Sequence, residues 1–436
     1  AMLTRLSGLL SDVAFNLTGC TLFALTVTGA FGLVYNMVQA YMDHHSEAAS
    51  GSEEGVSGAS IATGLLGSVL VALMGNLEGL FELIRAWGGG SAAFWRWLDV
   101  RNLGPAPASP TWYPQDHWWW WRASRVIHDV DPMGNSIEVI DEFPFFSFLL
   151  GDNHPHVLAL PFVLLALALA LNSLLSWSSR RRGKAGEACA NSSAPGDDGL
   201  LAGWGRAVQR LWETGPLVVV MWALLLGALG FLNTWDYPIY LGIFLLAYGV
   251  GLHLQRGRLD RRWLLDVLTL GGVLLVLGVG LYLPFYVGFR SQAGGIGLVG
   301  SIKTRLHQYL LMLGVHIYLV GSLLVAIVAR YRRSPAGERR LPLLAQWVGG
   351  AMLFLLAFAL VRRWWTAALI LFLGGVAATL LLWASQPGVG GGESRSTRLE
   401  PSSLFALLLI VAGLLLTGSV EFVFLRDTFN TRMNTI

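Results

Sequence analysis

Charged residues are scarce in this sequence. Only 13% of its 436 residues are Asp, Glu, Lys or Arg, whereas a soluble globular domain usually has about 25%. This shortage excludes an ordinary soluble domain. The chain is instead 54% hydrophobic, with a mean hydropathy of +0.56. So large an apolar fraction predicts an integral membrane protein with many spans rather than a single anchor.

Cysteine is nearly absent as well. The two cysteines are Cys20, in an apolar run, and Cys189, in a polar segment, and this placement excludes a disulfide framework. The start of the chain, AMLTRLSGLL, lacks the cleavage site of a secretory signal peptide. Because both ends of the sequence look cut, we expect the chain to be part of a longer protein.

About ten apolar segments reach the roughly 20 residues that a membrane-spanning helix needs. We therefore expect an all-α fold, a polytopic bundle of transmembrane helices that forms one domain over residues 1–436. The region 342–384 allows either two helices joined at Arg362–Arg363 or one long helix with a re-entrant piece. The segments are 13–38, 60–84, 154–176, 215–233, 237–254, 264–287, 308–330, 342–361, 364–384 and 403–422.

The distribution of arginine predicts the orientation of these spans. Three strongly basic loops, 180–184, 256–262 and 330–340, are expected to be cytoplasmic, because Lys and Arg concentrate in cytoplasmic loops. The spans then alternate without contradiction, except that Arg362 and Arg363 fall on the outer side.

The same orientation divides the connecting segments between the two sides of the membrane. The long aromatic-rich loop 87–153, with short helices of its own, becomes external, together with the junction 233–238 and the end 421–429. Segments 177–214 and 386–402 become cytoplasmic linkers of low complexity. Any chemistry that this chain performs is therefore expected at the outer surface of the membrane.

The motif GDNHPH, residues 151–156, is the first candidate site. Proline favours the first position of a helix, so we predict that a span begins at Pro155. The outward N-terminus of this helix would suit an anionic group. Asp152, His154 and His156 could hold a divalent metal such as Mg²⁺ or Mn²⁺, or supply a base and a proton shuttle. The alternative is that they only cap the helix and bind neighbouring backbone.

A second candidate is WWWWRASRVIHDVDP, residues 118–132, where the tryptophans are typical of the headgroup layer. Arg122 and Arg125 are three residues apart, so on a helix they would share a face and could grip a phosphate. Contact with lipid headgroups is an equally good interpretation. Asp141 and Glu142 follow as candidates for a general base.

The third candidate is FLNTWDYPIY, residues 231–240, which joins two spans by a tight outer turn. Asp236 is placed to cap the following helix, and this structural role is favoured over substrate binding. Glu421 and Arg426 follow the last span on the same side. Inside the membrane Glu78 and His316 stand nearly alone, which favours buried, satisfied side chains over an ion pathway.

Several of these motifs together resemble a known family. They are AFNLTGCTLFALTVTGAFGLVYN (14–36), SRVI (124–127), IDEFPFFSFLLGDNHPHVLALPF (140–162), GFLNTWDYPIY (230–240) and LRDTFNTRMNT (425–435). On these motifs the chain closely resembles the YYY membrane protein family, multi-span proteins of green non-sulfur bacteria (Chloroflexi) and archaea. That family is distantly similar to the GT-C superfamily of membrane glycosyltransferases, which take sugars from polyprenyl-phosphate carriers on the extracytoplasmic side. Two departures, the missing tyrosine triplet and the missing early acidic motif, imply that this chain corresponds to a central fragment.

The resemblance implies a GT-C-like glycosyltransferase in a bacterial cytoplasmic membrane, with membrane lipid and a polyprenyl-phosphate sugar donor as partners and no nucleic acid. The rival hypotheses are a lipid or polymer transporter and a non-catalytic scaffold subunit of an envelope complex. The residues expected to act in catalysis are Asp152, His154, His156, Asp141 and Glu142. Those expected to bind substrate are Arg122, Arg125, Asp236, Arg363 and Arg426.

Overall fold

A computed structural model describes residues 2–49, 57–130, 135–184, 200–291, 294–300, 303–333, 341–386 and 399–426. Within these residues, eight helices are long and apolar enough to cross a membrane, or nine if a pair bent by 89° counts as one span. The expected all-α polytopic bundle is confirmed. Most of the loop 330–340 and of the segment 386–402 lies outside the described residues.

Helices make up most of the described chain, and its strands are short. The helices are α1 (Met2–Ser7), α2 (Ser11–Ala49), α3 (Gly58–Ala72), α4 (Glu78–Ala86), α5 (Ala92–Leu98), α6 (Pro144–Leu150), α7 (Pro155–Lys184), α8 (Leu200–Thr214), α9 (Pro216–Leu232), α10 (Asp236–Arg256), α11 (Arg261–Leu281), α12 (Leu283–Gly288), α13 (Leu306–Arg333), α14 (Leu343–Val361), α15 (Trp365–Ala384) and α16 (Pro401–Ser419). The strands are β1 (His128–Val130), β2 (Ser136–Glu138), β3 (Gly295–Leu298) and β4 (Val423–Arg426), and a 3-10 helix covers Trp119–Ser124.

The chain divides into two compact units. Unit 1 comprises Ala1–Ala72, Gly151–Phe289 and Leu381–Leu409, and unit 2 comprises Leu73–Leu150, Arg290–Leu380 and Ile410–Ile436.

Unit 1 is built from long helices that approach each other closely. Helix α3 packs on α2, and a Cβ atom added at Gly67 would lie only 2.7 Å from Val34 Cγ2. Helices α9 and α11 also meet at glycine, since a Cβ at Gly227 would lie 2.7 Å from Gly278 O. Small residues at such contacts are typical of helices packed in a membrane. Helices α7 and α10 form another extensive contact in this unit.

Unit 2 contains the long segment predicted to be external, and its core is partly aromatic. Trp95 and Leu98 of α5 are buried in one cluster with Val126 and with Leu311 of α13. The strands form two small antiparallel pairs, β1 with β2 and β3 with β4. Strands this short gain little stability alone, so this unit depends on burial against helices.

The prediction that 60–84 forms one span is wrong. The helix that begins in this segment ends at Ala72, and a separate helix begins at Glu78. Asn76 fixes the turn between them, because its Oδ1 accepts a hydrogen bond from Glu78 N (3.2 Å) and its Nδ2 donates one to Ala123 O (2.5 Å). Glu78 therefore lies outside the helices that are long enough to span a membrane.

Two other segments are also resolved by the structure. Residues 342–384 form two helices, α14 and α15, joined at Arg362 and Arg363, as the first of the two interpretations predicted. Arg363 has a φ of 56°, which makes the sharp turn between them. The expected linker 177–214 is helical at both ends, because α7 continues to Lys184 and α8 occupies Leu200–Thr214.

Candidate functional site

The GDNHPH motif lies at the N-terminal end of α7 in unit 1. The helix begins at Pro155 as predicted, and His154 O accepts hydrogen bonds from Val157 N and Leu158 N, each 3.0 Å long. The carboxylate of Asp152 contacts His154 Nδ1 directly. The side chain of His154 is 59% exposed and that of Asp152 is 19% exposed. Asp152 thus holds an imidazole that is open to solvent.

His156 and Asp236 join this pair. The ring of His156 stacks on that of His154, with 5.6 Å between ring centroids. Asp236, the first residue of α10, is close enough to His156 to interact with it electrostatically. The structure therefore brings together four residues from two separate candidate motifs, at neighbouring helix N-termini. We refer to Asp152, His154, His156 and Asp236 as the Asp–His cluster.

The predicted capping role of Asp236 is wrong. The N-cap residue of α10 is Trp235, and no side chain caps this end of the helix. The carboxylate of Asp236 instead accepts a hydrogen bond of 3.1 Å from Asn233 Nδ2, which turns the side chain toward the preceding loop. Asp236 is one residue too late to act as the cap, because a cap precedes the first helical residue.

The Asp–His cluster suits acid–base chemistry. A carboxylate bound to Nδ1 fixes the tautomer and orientation of an imidazole and leaves Nε2 to exchange a proton with another molecule. The same residues match the predicted Mg²⁺ or Mn²⁺ less well, because these ions prefer oxygen ligands and Asp152, His154 and His156 offer two imidazoles and one carboxylate. We therefore assign no step of the chemistry to a metal.

Unit 2 contains a cationic cleft of about 340 Å³. Arg125, one of its lining residues, is only 7% exposed. Its guanidinium lies 4.9 Å from the centroid of the Trp121 ring and donates to Ser124 O (2.8 Å) and Ser124 Oγ (2.6 Å). A guanidinium held in this way is preorganised to bind an anion. The lining residues are Arg101, Arg125, Ile127, His128, Ser136, Ile137 and Val139.

Asp141 binds the same segment that lines this cleft. Its Oδ2 accepts hydrogen bonds of 2.7 Å from both Val126 N and Ile127 N. Burial raises the pKa of Asp141 to about 7, although the two backbone hydrogen bonds and the charge of Arg125 act in the opposite direction. The carboxyl group of Asp141 can therefore gain or lose a proton near neutral pH.

Comparison with known proteins assigns the family. The family described as an uncharacterized membrane protein (DUF2298) matches residues 1–436. The chain belongs to this DUF2298 family. No curated protein and no solved structure matches it. The family assignment supports a membrane protein and does not test the resemblance to glycosyltransferases.

In this DUF2298 protein, Arg122 does not line the cleft beside Arg125. It is ion-paired with Glu82 (2.5 Å) and with Asp116 (2.8 Å). Arg85 reaches the same two carboxylates, at 3.5 Å from Glu82 and 2.8 Å from Asp116. The hydrogen bond from Arg122 is the main reason that the pKa of Asp116 is lowered. The two guanidinium groups and two carboxylates thus form a closed ion-pair network.

Glu78 is the third acid beside this network. Its side chain is fully buried, and neither carboxyl oxygen accepts a hydrogen bond from any donor in the described part of the chain. Burial, together with the adjacent carboxylate of Glu82, raises the pKa of Glu78 to about 9, against the opposing charges of Arg122 and Arg85. Glu78 is therefore protonated at neutral pH and can donate a hydrogen bond to Glu82.

The remaining predicted residues lie apart from the cleft in unit 2. Glu142 accepts a hydrogen bond of 3.2 Å from Ser147 Oγ, near the start of α6. Arg363 is exposed at the turn between α14 and α15. Arg426 ends β4 with an exposed side chain, and its backbone O accepts from Gly294 N at 2.6 Å. The structure does not assemble these three residues with Arg125.

The network of Glu82, Arg85 and Asp116 was missed in the sequence. The signal was present, because Glu78 and Glu82 are four residues apart and Arg85 follows at three, which places all three on one face of a helix. The prediction of a span over 60–84 concealed this pattern, since it assigned the two glutamates to a membrane helix.

Proposed function

We propose that this chain is a membrane glycosyltransferase-like protein. It transfers a sugar from a polyprenyl-phosphate donor to an acceptor hydroxyl at the extracytoplasmic face. The observation that carries the proposal is the Asp–His cluster. Asp152 pairs with His154, and Asp236 interacts with His156. Both pairs lie at helix ends that the arginine distribution predicts to be external. Such a group is suited to take a proton from a hydroxyl nucleophile.

The proposed step requires one base and one leaving group. His154 Nε2 accepts the proton of the acceptor hydroxyl while the acceptor oxygen forms a bond to the anomeric carbon of the sugar. The bond between that carbon and the phosphate oxygen breaks, and its electron pair leaves with the polyprenyl phosphate. Asp152 stabilises the imidazolium that forms on His154, as a carboxylate does in hydrolases that use an Asp–His pair.

The cationic cleft of unit 2 is suited by itself to bind a phosphate group, such as that of the donor. Arg125, with Arg101 and His128 in the same lining, offers several donors for phosphate oxygens. Charge-assisted hydrogen bonds from such groups stabilise the negative charge of a bound phosphate. Because Arg125 is already fixed by Trp121 and Ser124, little conformational entropy is lost when a phosphate binds.

Turnover of the donor tests the proposal. The purified chain in liposomes is given an undecaprenyl-phosphate hexose. Water serves as the acceptor hydroxyl, and the release of undecaprenyl phosphate and free hexose is followed. Asp152→Asn is expected to slow release at least about 100-fold, because general acid–base catalysis contributes about 10²–10⁴ in rate. Asp12→Asn, in the exposed first turn of α2, is the matched control and should retain full turnover. Unchanged turnover in Asp152→Asn would reduce the cluster to a structural role.

A further inference from the structure

Helix α8 has an apolar face that nothing in the described chain covers. Its exposed apolar side chains recur at helical spacing, so they form one stripe. On its other side α8 packs on α11, and a Cβ at Gly203 would lie 2.9 Å from Leu265 Cδ1. The exposed side chains of the stripe are Leu201, Trp204, Val208 and Trp212.

The direction of α8 matches a helix that lies in the membrane surface. It meets α9 at an angle of 89°, and Gly215 makes the corner with a φ of 102°. If α9 crosses the bilayer, α8 then runs along its surface. Amphipathic helices with tryptophan on the apolar face and arginine on the polar face are typical of the headgroup layer. We conclude that the stripe contacts lipid and that the opposite face of α8 lies at headgroup level.

On this opposite face, α8 forms a cleft of about 320 Å³ with the segment that connects α10 to α11. Five arginines line it with a single aspartate, and Asp266 lies directly behind two of them. The lining of the cleft is therefore rich in guanidinium groups. The residues that line the α8–α11 cleft are Arg206, Arg210, Arg256, Arg258, Asp260 and Arg262.

Two aspartates hold the arginines in place. Asp266 is only 3% exposed and contacts the guanidinium groups of Arg210 and Arg256 directly. Asp260 caps α11 by accepting from Trp263 N (2.8 Å) and lies 2.9 Å from Arg258 Nε. Because both carboxylates are bound to arginine, they fix the positions of three of the arginines that line the cleft.

One buried donor of the cleft lacks an acceptor. Nη1 of Arg256 is shielded from solvent, and no residue in the described ranges accepts a hydrogen bond from it. A buried donor without a partner is costly, and a charged one more so. An oxygen atom supplied by a ligand would remove this cost. The size of the cleft, its guanidinium groups and the unpaired donor of Arg256 therefore favour a small anion with several acceptor oxygens.

We propose that the α8–α11 cleft binds the phosphate group of an anionic phospholipid. Guanidinium groups match phosphate oxygens in geometry and charge, and α8 lies in the layer where lipid phosphates are found. The cleft belongs to the face that the arginine-rich loops predict to be cytoplasmic, where anionic lipids attract basic segments. The site does not depend on the proposed sugar transfer, which concerns the opposite face.

Equilibrium binding to the purified chain in neutral detergent tests this site. The probes are radiolabelled short-chain phosphatidylglycerol, short-chain phosphatidylcholine and inorganic phosphate. The double variant Arg206→Gln/Arg262→Gln removes two cleft charges and leaves both partners of Asp266 in place. It is expected to bind phosphatidylglycerol about 30-fold more weakly, since each basic residue contributes about 1 kcal/mol to attraction of anionic lipid, a factor of about five.

The control variant is Arg96→Gln/Arg261→Gln, which removes two exposed arginines outside the cleft and should bind phosphatidylglycerol like the natural chain. If the first double variant does not fold, Arg258→Gln, whose side chain is 56% exposed, is expected to weaken binding about fivefold. Equal phosphatidylglycerol affinity in natural chain and cleft variants would overturn the site. If inorganic phosphate binds as tightly as phosphatidylglycerol, the cleft is a site for a soluble anion. If phosphatidylcholine binds as tightly as phosphatidylglycerol, the cleft does not recognise the charge of the lipid.

Discussion

Glu78→Gln is expected to change how the stability of the protein depends on pH. Glutamine has the shape of a protonated glutamic acid and can donate the same hydrogen bond to Glu82, but it does not titrate. The natural side chain is fully buried beside Glu82, Arg85 and Arg122. The substitution therefore keeps the packing of the network and removes one proton equilibrium from it.

The sign and size of the effect follow from the pKa of Glu78, which rises from 4.5 to about 9 on folding. Between these values the folded chain holds a proton that the unfolded chain has released, so stability falls as pH rises. One such proton changes the free energy of unfolding by about 1.4 kcal/mol per pH unit. From pH 6 to pH 8 the free energy of unfolding of the natural chain should fall by about 3 kcal/mol. The free energy of unfolding of Glu78→Gln should not show this fall.

The assay is denaturant unfolding in detergent at pH 6, 7 and 8, followed by fluorescence of the 18 tryptophans. Infrared spectroscopy should show a protonated carboxylic acid at neutral pH that disappears in Glu78→Gln. The comparison variant is Glu82→Gln, which deprives half-buried Arg122 of a partner and should destabilise the chain. It also removes the carboxylate that helps to raise the pKa of Glu78, so it should lower that pKa. An identical pH dependence in Glu78→Gln and the natural chain would refute the protonated state of Glu78.

Two further predictions concern the donor site and the orientation. Arg125→Lys keeps the charge but loses the planar guanidinium group and its stacking on the Trp121 ring. We therefore expect the KM for the donor to rise about tenfold in the turnover assay. An unchanged KM would show that Arg125 takes no part in donor recognition. In a chain without its two natural cysteines, Arg258→Cys should resist an impermeant thiol reagent applied to intact cells, whereas exposed Trp112→Cys should react. Labelling at position 258 but not at 112 would reverse the orientation and the face on which the Asp–His cluster acts.

Local sequence patterns were enough to predict much of the fold. The proline of GDNHPH set the start of α7 at Pro155, because its ring favours the first helical position. The predicted span 364–384 begins one residue before α15 and ends at the same residue, Ala384. These features depend on residues adjacent in the chain, so the sequence contains all the information needed to predict them.

Contacts between distant segments could not be predicted in this way. His156 and Asp236 are 80 positions apart in the sequence, and only the packing of α7 on α10 brings them together. The pairing of β3 with β4 was also unpredicted, because four-residue strands have too little alternation to be recognised. Asn76, which ends the apolar segment 60–84 early, acts through a contact with Ala123 that no local pattern reveals.

The most direct test of the proposed function is a double-mutant cycle on Asp152 and His154. Donor turnover is measured in the natural chain, in Asp152→Asn, in His154→Gln and in the double variant. If the two residues act as one acid–base pair, the double variant should be no slower than His154→Gln alone, because residues that act as a unit lose their effect together. Losses that multiply in the double variant would show that the residues act separately, and full turnover in all three variants would contradict the account.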